Sequence, residues 1–195
     1  MVRVCISVCC LVLATGMPTL AKRVQLQVGD HAPEWKDLMG VDGKRHALAE
    51  LKDQKAVVIV FTSTHCPFAQ ASHPKLKRLD DLFRSKGVAI VAINSNKGES
   101  LRDMKADLKR HKLEVRYLSD DKQTMAKNFG AMMTPQVFLL KSDRTIAYLG
   151  AIDDARSPTG KAKKHYLQEA IEAVLADKKP PLPQTRPIGC TIRWK

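Results

Sequence analysis

The sequence predicts an α/β fold, a central mixed β-sheet with helices on both faces. Three observations carry that prediction. Two continuous apolar runs, residues 56–62 (AVVIVFT) and 88–93 (VAIVAI), read as strands buried on both faces. Each is followed by a stretch of helical periodicity, the arrangement that makes neighbouring strands parallel. Further on, residues 136–140 and 145–149 are joined by the short polar link Lys141-Ser142-Asp143-Arg144, the spacing of an antiparallel hairpin.

The elements follow in order. Val28-Gly29-Asp30-His31-Ala32-Pro33 is an extended lead-in rich in turn residues, and Asp42-Gly43 marks a tight turn between two short strands. Residues 48–51 form one helical turn before the first buried strand. A helix opens at Pro67, where the missing N–H costs nothing, and presents Leu76, Leu79, Leu82 and Phe83 at helical spacing until Gly87 stops it. After the second buried strand closes at Asn94-Ser95-Asn96, a helix runs from about Ser100 to His111 with Leu101, Met104 and Leu108 on one face. Residues 115–118 are a short strand, and residues 123–129 a short helix ending at Gly130. Residues 161–176 form the last helix, burying Tyr166, Leu167, Ala170, Ile171 and Val174. The Pro-rich stretch Lys179-Pro180-Pro181-Leu182-Pro183 excludes a helix, and it leads to an apolar ending able to dock. The order is βαβαβαββα, without internal repeat.

Composition narrows the function. The chain has 195 residues, enough for one well-filled domain with appendages. It carries 33 Lys and Arg against 20 Asp and Glu, a formal net charge of +13. The basic residues are scattered among acids, as in Arg102-Asp103-Met104-Lys105-Ala106-Asp107, and aromatics are few, which excludes a stacking surface for nucleic acid. Gly-rich phosphate loops and Gly-x-Ser-x-Gly are absent from the sequence.

Residues 1–21 have the layout of a secretory signal: a positive start at Arg3, an apolar stretch from Val4 to Thr15, and small residues at Thr19-Leu20-Ala21. That stretch is too short to span a bilayer comfortably, so no stable membrane insertion is expected after cleavage. The expected organisation is a signal over 1–21, one domain over 22–178 and a tail over 179–195, exported to the periplasm or outside the cell. Cleavage lowers the net charge by one through loss of Arg3, and removes Cys5, Cys9 and Cys10. Cys66 and Cys190 then remain, and an oxidising compartment allows them one disulfide.

Cys66 is the candidate nucleophile. It sits where the first buried strand passes through Thr62-Ser63-Thr64-His65 into a helix, at the positive end of the helix dipole beside free backbone N–H groups that favour thiolate. A buried structural cysteine is the alternative. Ala69 stands where a Cys-x-x-Cys would need its second sulfur. His65 either raises the thiolate content when protonated or is only a polar neighbour. Cys66, His65 and His73 include metal-ligand types, but adjacent Cys and His rarely face one ion, and no metal or cofactor is expected.

This ordered set resembles the thioredoxin fold, in the redoxin branch related to the alkyl hydroperoxide reductase/thiol-specific antioxidant family. The lead-in at 28–33, the strand–Cys-Pro–helix segment at 61–67, Met133-Thr134-Pro135, and Gly150 with the last helix carry the resemblance, over roughly residues 28–176. A narrower likeness is to peroxiredoxin-like redoxins that combine His-Cys-Pro with a C-terminal Gly-Cys-x-Ile-Lys/Arg-Trp ending, here Gly189 to Trp194. The resemblance implies a cis Thr134-Pro135 bond facing Cys66, with the Thr134 backbone free to pair with an extended substrate. It also implies a pocket shaped by Ser63, His65, Pro67, Thr134 and Pro135. A thiol cycle needs a second sulfur, and Cys190 is the one the mature chain offers; a static structural disulfide, a free thiol and an intermolecular bond stay open. The expected partners are a protein disulfide, a peroxide or a small thiol, with an external thiol as reductant. Two departures weigh against ordinary peroxidase chemistry: Ile59 stands where peroxiredoxins place Pro, although Ser63 at their Thr position keeps a hydroxyl, and Pro135 falls where their Arg-bearing segment aligns. The alternative to an enzyme is a redox-inert binding module clamped by Cys66–Cys190.

Overall fold

The computed structural model describes residues 25–195; the expected signal over 1–21 lies outside them. Among the described residues there are nine strands and four α-helices, and seven of the strands form one sheet of order β2-β1-β5-β4-β3-β7-β8. Its centre is parallel: β3 (Ala56–Thr62) pairs with β4 (Val88–Asn94), and β4 with β5 (Arg116–Ser119). Antiparallel strands flank that centre. On one side are β7 (Gln136–Lys141) and β8 (Ile146–Gly150), on the other β1 (Leu38–Gly40) and β2 (Arg45–His46). This is the mixed sheet that the order of elements predicts.

Alternation along β3 sorts the core onto two faces. Val58 and Val60 point to a cluster with Leu76 and Leu79 of α1 (Pro67–Phe83), Met104 of α2 (Leu101–His111), and Leu167 and Ile171 of α4 (Tyr166–Leu175). Val57, Ile59 and Phe61 face the other cluster, with Trp35, Leu48 and Leu51 of a 3-10 turn, and Met125 and Phe129 of α3 (Thr124–Phe129). There Phe61, Phe129 and Phe138 meet with ring centroids 5.1–5.8 Å apart, in the tilted and edge-on geometry aromatic quadrupoles favour. Ser100 caps α2 through a reciprocal box with Asp103.

Two helix boundaries and two expected core positions differ from the sequence reading. The first helix becomes 3-10 at Arg84–Lys86 before Gly87, and its Leu82 is 41% exposed rather than core, as Leu101 also is at 38%. Both lie on the solvent margin of their amphipathic stripes. The last helix starts at Tyr166, not residue 161, because the Asp154 carboxylate accepts the N–H groups of Lys163 and Lys164 at 2.7 and 3.0 Å, holding that stretch out of helical geometry.

The C-terminal tail runs back over the molecule. Leu149 of β8 exchanges backbone hydrogen bonds with Pro183 and Thr185. The tail then ends as β9 (Cys190–Thr191), antiparallel to β6 (Met133–Thr134). Among the described residues no helix is long and apolar enough to cross a membrane.

Candidate active site

The site lies at the carboxyl ends of β3 and β4, the crevice where open α/β sheets place ligands. β3 ends at Thr62, and Ser63 to Cys66 turn the chain into α1, with Cys66 as N-cap in extended geometry and Pro67 at the first helical position. The Cys66 side is shielded, at 4% exposure. No side chain caps this helix, and its first turn carries no acid, so neither an acceptor nor a like charge competes with a sulfur for its N–H groups. Ala69, one turn on, is fully buried.

The opposing wall comes from register. Gln136 at the start of β7 pairs with Phe61 near the end of β3, which puts Thr134 and Pro135 beside the cysteine. The Thr134–Pro135 bond is cis, both residues are buried, and the Thr134 carbonyl oxygen lies 3.0 Å from Cys66 Sγ. Cys66 and Cys190, 124 positions apart in the sequence, form a disulfide with Cα atoms 6.0 Å apart.

One expectation needs correction here. The Thr134 backbone is not free for an extended substrate, because the protein's own tail occupies that position, with Thr134 in register with Cys190 and Met133 with Thr191. The approach is so close that a Cβ at Gly189 would overlap the Thr134 carbonyl. Glycine precedes the cysteine for this reason.

Sequence reasoning missed the organiser of the loop, Glu99. Its side chain is fully covered. One oxygen accepts from Ser63 Oγ at 2.6 Å and Arg193 Nη2 at 3.1 Å; the other accepts from Thr64 N, Thr64 Oγ1 and Asn94 Nδ2 at 2.6–2.7 Å. Burial alone would raise its pKa, but the hydrogen bonds from Ser63, Thr64 and Asn94 outweigh it and hold the carboxylate below its ordinary range. An isolated Glu in the polar segment Asn96-Lys97-Gly98-Glu99 carries no sequence signal; only its partners reveal it.

The remaining residues sort around this centre. The Ser63 hydroxyl donates to Glu99 and accepts from the N–H groups of His65 and Cys66 at 3.1 and 3.2 Å. His65 is exposed, and its Nδ1 lies 3.0 Å from Thr64 Oγ1 and 3.5 Å from Glu99 Oε1. Its polar contacts are with the loop and with Glu99. Pro67 is exposed at the helix start. Arg144 sits in the hairpin with positive φ and donates to the Leu51 and Lys141 carbonyls. His73 does not join Cys66 and His65; it turns inward toward α2.

The tail beyond Cys190 is tied to the same framework. Ile192 is buried, Arg193 N donates to Asn96 Oδ1 at 3.0 Å, and Lys97 N and Gln123 Nε2 donate to the Arg193 carbonyl at 2.9 and 2.8 Å.

Comparison with known proteins agrees with this geometry. The redoxin family model matches residues 27–164. A hypothetical protein from Sinorhizobium meliloti 1021 has a solved structure 34% identical in sequence, covering 88% of this chain and 97% of its own, with a TM-score of 0.83. The thiol-disulfide oxidoreductase ResA of Bacillus cereus is 24% identical over 123 residues, 63% of this chain and 69% of that protein. The thioredoxin domain of a thiol-disulfide oxidoreductase from Bacteroides vulgatus, 20% identical, superposes with a TM-score of 0.56 over 63% of this chain and 86% of its own, which places the fold as thioredoxin-like.

Proposed function

This chain belongs to the redoxin family, and we propose that it is an exported thiol-disulfide oxidoreductase whose nucleophile is Cys66 and whose resolving thiol is Cys190. The observation that carries the reading is the Cys66–Cys190 disulfide with the tail docked as a strand on Thr134. That arrangement has the form of a mixed disulfide with an extended peptide, supplied here by the protein itself.

The cycle balances with two thiols. In the reduced protein, the Cys66 thiolate attacks one sulfur of a substrate disulfide; the Cys66–substrate S–S bond forms, and the other substrate sulfur leaves as thiolate. The Cys190 thiolate then attacks Cys66 Sγ, releasing the second substrate thiolate and leaving the intramolecular disulfide. The substrate is reduced by two electrons, and an external dithiol restores the protein. Uncapped N–H groups at the start of α1 stabilise the Cys66 thiolate as attacker and as leaving group. Since the tail fills the Thr134 edge when oxidised, substrate enters only after reduction lifts β9 away.

Disulfide rather than peroxide is the favoured electrophile. The Ser63 hydroxyl, at the place where peroxiredoxins use Thr, is committed to Glu99 and two backbone N–H groups, and Arg144 is committed to the Leu51 carbonyl. Export rests on the signal-like layout of residues 1–21 and on the cysteine pair. The anchoring of Ile192 and Arg193 favours a second reading, a static clamp on a redox-inert binding module.

Redox titration separates the two. A redox pair equilibrates with glutathione buffers and shows a potential above about −300 mV; a clamp lies below it. Cys66→Ser is expected to abolish disulfide exchange, and Cys190→Ser to accumulate a Cys66-linked mixed disulfide. Full turnover by Cys66→Ser overturns the proposal.

A further inference from the structure

A second polar cluster lies deeper along α1. His73, two helical turns beyond Cys66, is buried against Asp107 and His111, which stand four residues apart on one face of α2. His73 Nε2 is 3.6 Å from one Asp107 oxygen, and His111 Nε2 is 3.5 Å from the other. The two imidazole rings meet edge-on, with centroids 4.6 Å apart. His73 Nδ1, both Asp107 carboxylate oxygens and His111 Nε2 are buried without a hydrogen-bond partner. Four such atoms in one place are exceptional, since buried polar groups in native interiors are nearly always satisfied.

We propose that His73, Asp107 and His111 form a binding site for one divalent transition-metal ion of the zinc type. The ligand atoms of the three residues lie within 4.8 Å of one another. Ligands about 2.1 Å from a tetrahedral ion are separated from each other by about 3.4 Å. The His73 and His111 nitrogens stand 3.6 and 3.5 Å from different oxygens of Asp107, each separation close to that edge and too long for a good hydrogen bond. Two imidazoles and one carboxylate are the donors that borderline divalent ions prefer, and three protein ligands leave a fourth position for water. Burial keeps His73 neutral near pH 7, as a ligand must be, with its pKa at about 4. Asp107 also lines a cavity of about 220 Å³ between α1 and α2, with Gln70, Asp103 and Arg110. The site contains no sulfur and is independent of the thiol chemistry proposed for Cys66.

The test is titration of the oxidised protein with Co²⁺ and Zn²⁺. One ion per chain is expected, with the visible d–d bands of tetrahedral Co²⁺ and no thiolate charge-transfer band. His111→Ala, at the partly exposed ligand, and Asp107→Asn are each expected to weaken Zn²⁺ binding by at least ~100-fold, since even outer-shell changes cost 10–100-fold. A Cys66→Ser/Cys190→Ser variant is expected to bind as tightly as the parent. Circular dichroism verifies that each variant is folded. The proposal is overturned if folded parent protein binds no Co²⁺ at millimolar concentration, if both ligand variants bind like the parent, or if binding vanishes in the cysteine variant.

Discussion

Glu99 and Asp107 are two covered carboxylates eight residues apart in the chain, and their surroundings are opposite. Glu99 accepts five hydrogen bonds, and its pKa is held down; Asp107 accepts none, and burial pushes its pKa up to about 6. Each lies at the junction of the β3–α1 segment with the α2 segment. The first is a completed network that joins the Cys66 loop to the tail through Arg193. The second sits between His73 and His111 with both oxygens unsatisfied. A buried charge stabilises a fold when hydrogen bonds replace its lost hydration, and costs stability when they do not.

That contrast can be broken by mutation. The largest effect is expected for Glu99→Gln, which replaces one acceptor oxygen by an amide donor facing the Ser63, Thr64, Asn94 and Arg193 donors and removes the charge; urea unfolding should show a loss of about 2–4 kcal/mol. Asp107→Asn should act in the opposite direction in chelator-treated protein, stabilising it by about 1–3 kcal/mol at neutral pH by removing an unpaired buried charge. A destabilisation of similar size would mean that Asp107 is satisfied as an anion.

The acid limb sharpens the comparison further. Glu99 has a native pKa below its ordinary value near 4.5, so its contribution is fully present above that value and is lost as pH falls through the lower native one. The stability gap between parent and Glu99→Gln should therefore narrow below pH 4.5, as followed by pH-dependent unfolding. The smallest effect is expected for Arg193→Ala. This side chain is 56% exposed, so its pair with Glu99 is worth about 0.5–1 kcal/mol. The same loss should appear as easier reduction of Cys66–Cys190, measured in glutathione buffers. No change in either quantity would separate the tail from the Glu99 network.

Much of this molecule is legible in its sequence because the signals are local. The uninterrupted apolar runs of β3 and β4 can only be strands buried on both faces, and Cys66-Pro67 after β3 announces a helix N-terminus. Resemblance to a family brings Thr134-Pro135 opposite that cysteine, and the cis bond is present. The same resemblance leaves Thr134 free, and here it fails, because a strand partner 56 residues away in sequence cannot be read from either segment. Leu82 fits a helical stripe by spacing alone, yet it falls at the stripe's edge. Residues 161–165 look helical until the Asp154 side chain takes the N–H groups of Lys163 and Lys164.

The α/β class, the place of the sulfur at the head of α1 and the absence of a neighbouring Cys-x-x-Cys partner are written in the chain itself. Those follow from hydrophobic period, turn chemistry and residue identity, which act over a few residues. Folding in three dimensions brings Cys190 onto Cys66, lays the tail along the Thr134 edge, and leaves Glu99 satisfied while His73, Asp107 and His111 converge unsatisfied. Those outcomes depend on which polar atoms meet across α1, α2 and the tail. Only the packed chain sets such distances, and no sequence period records them.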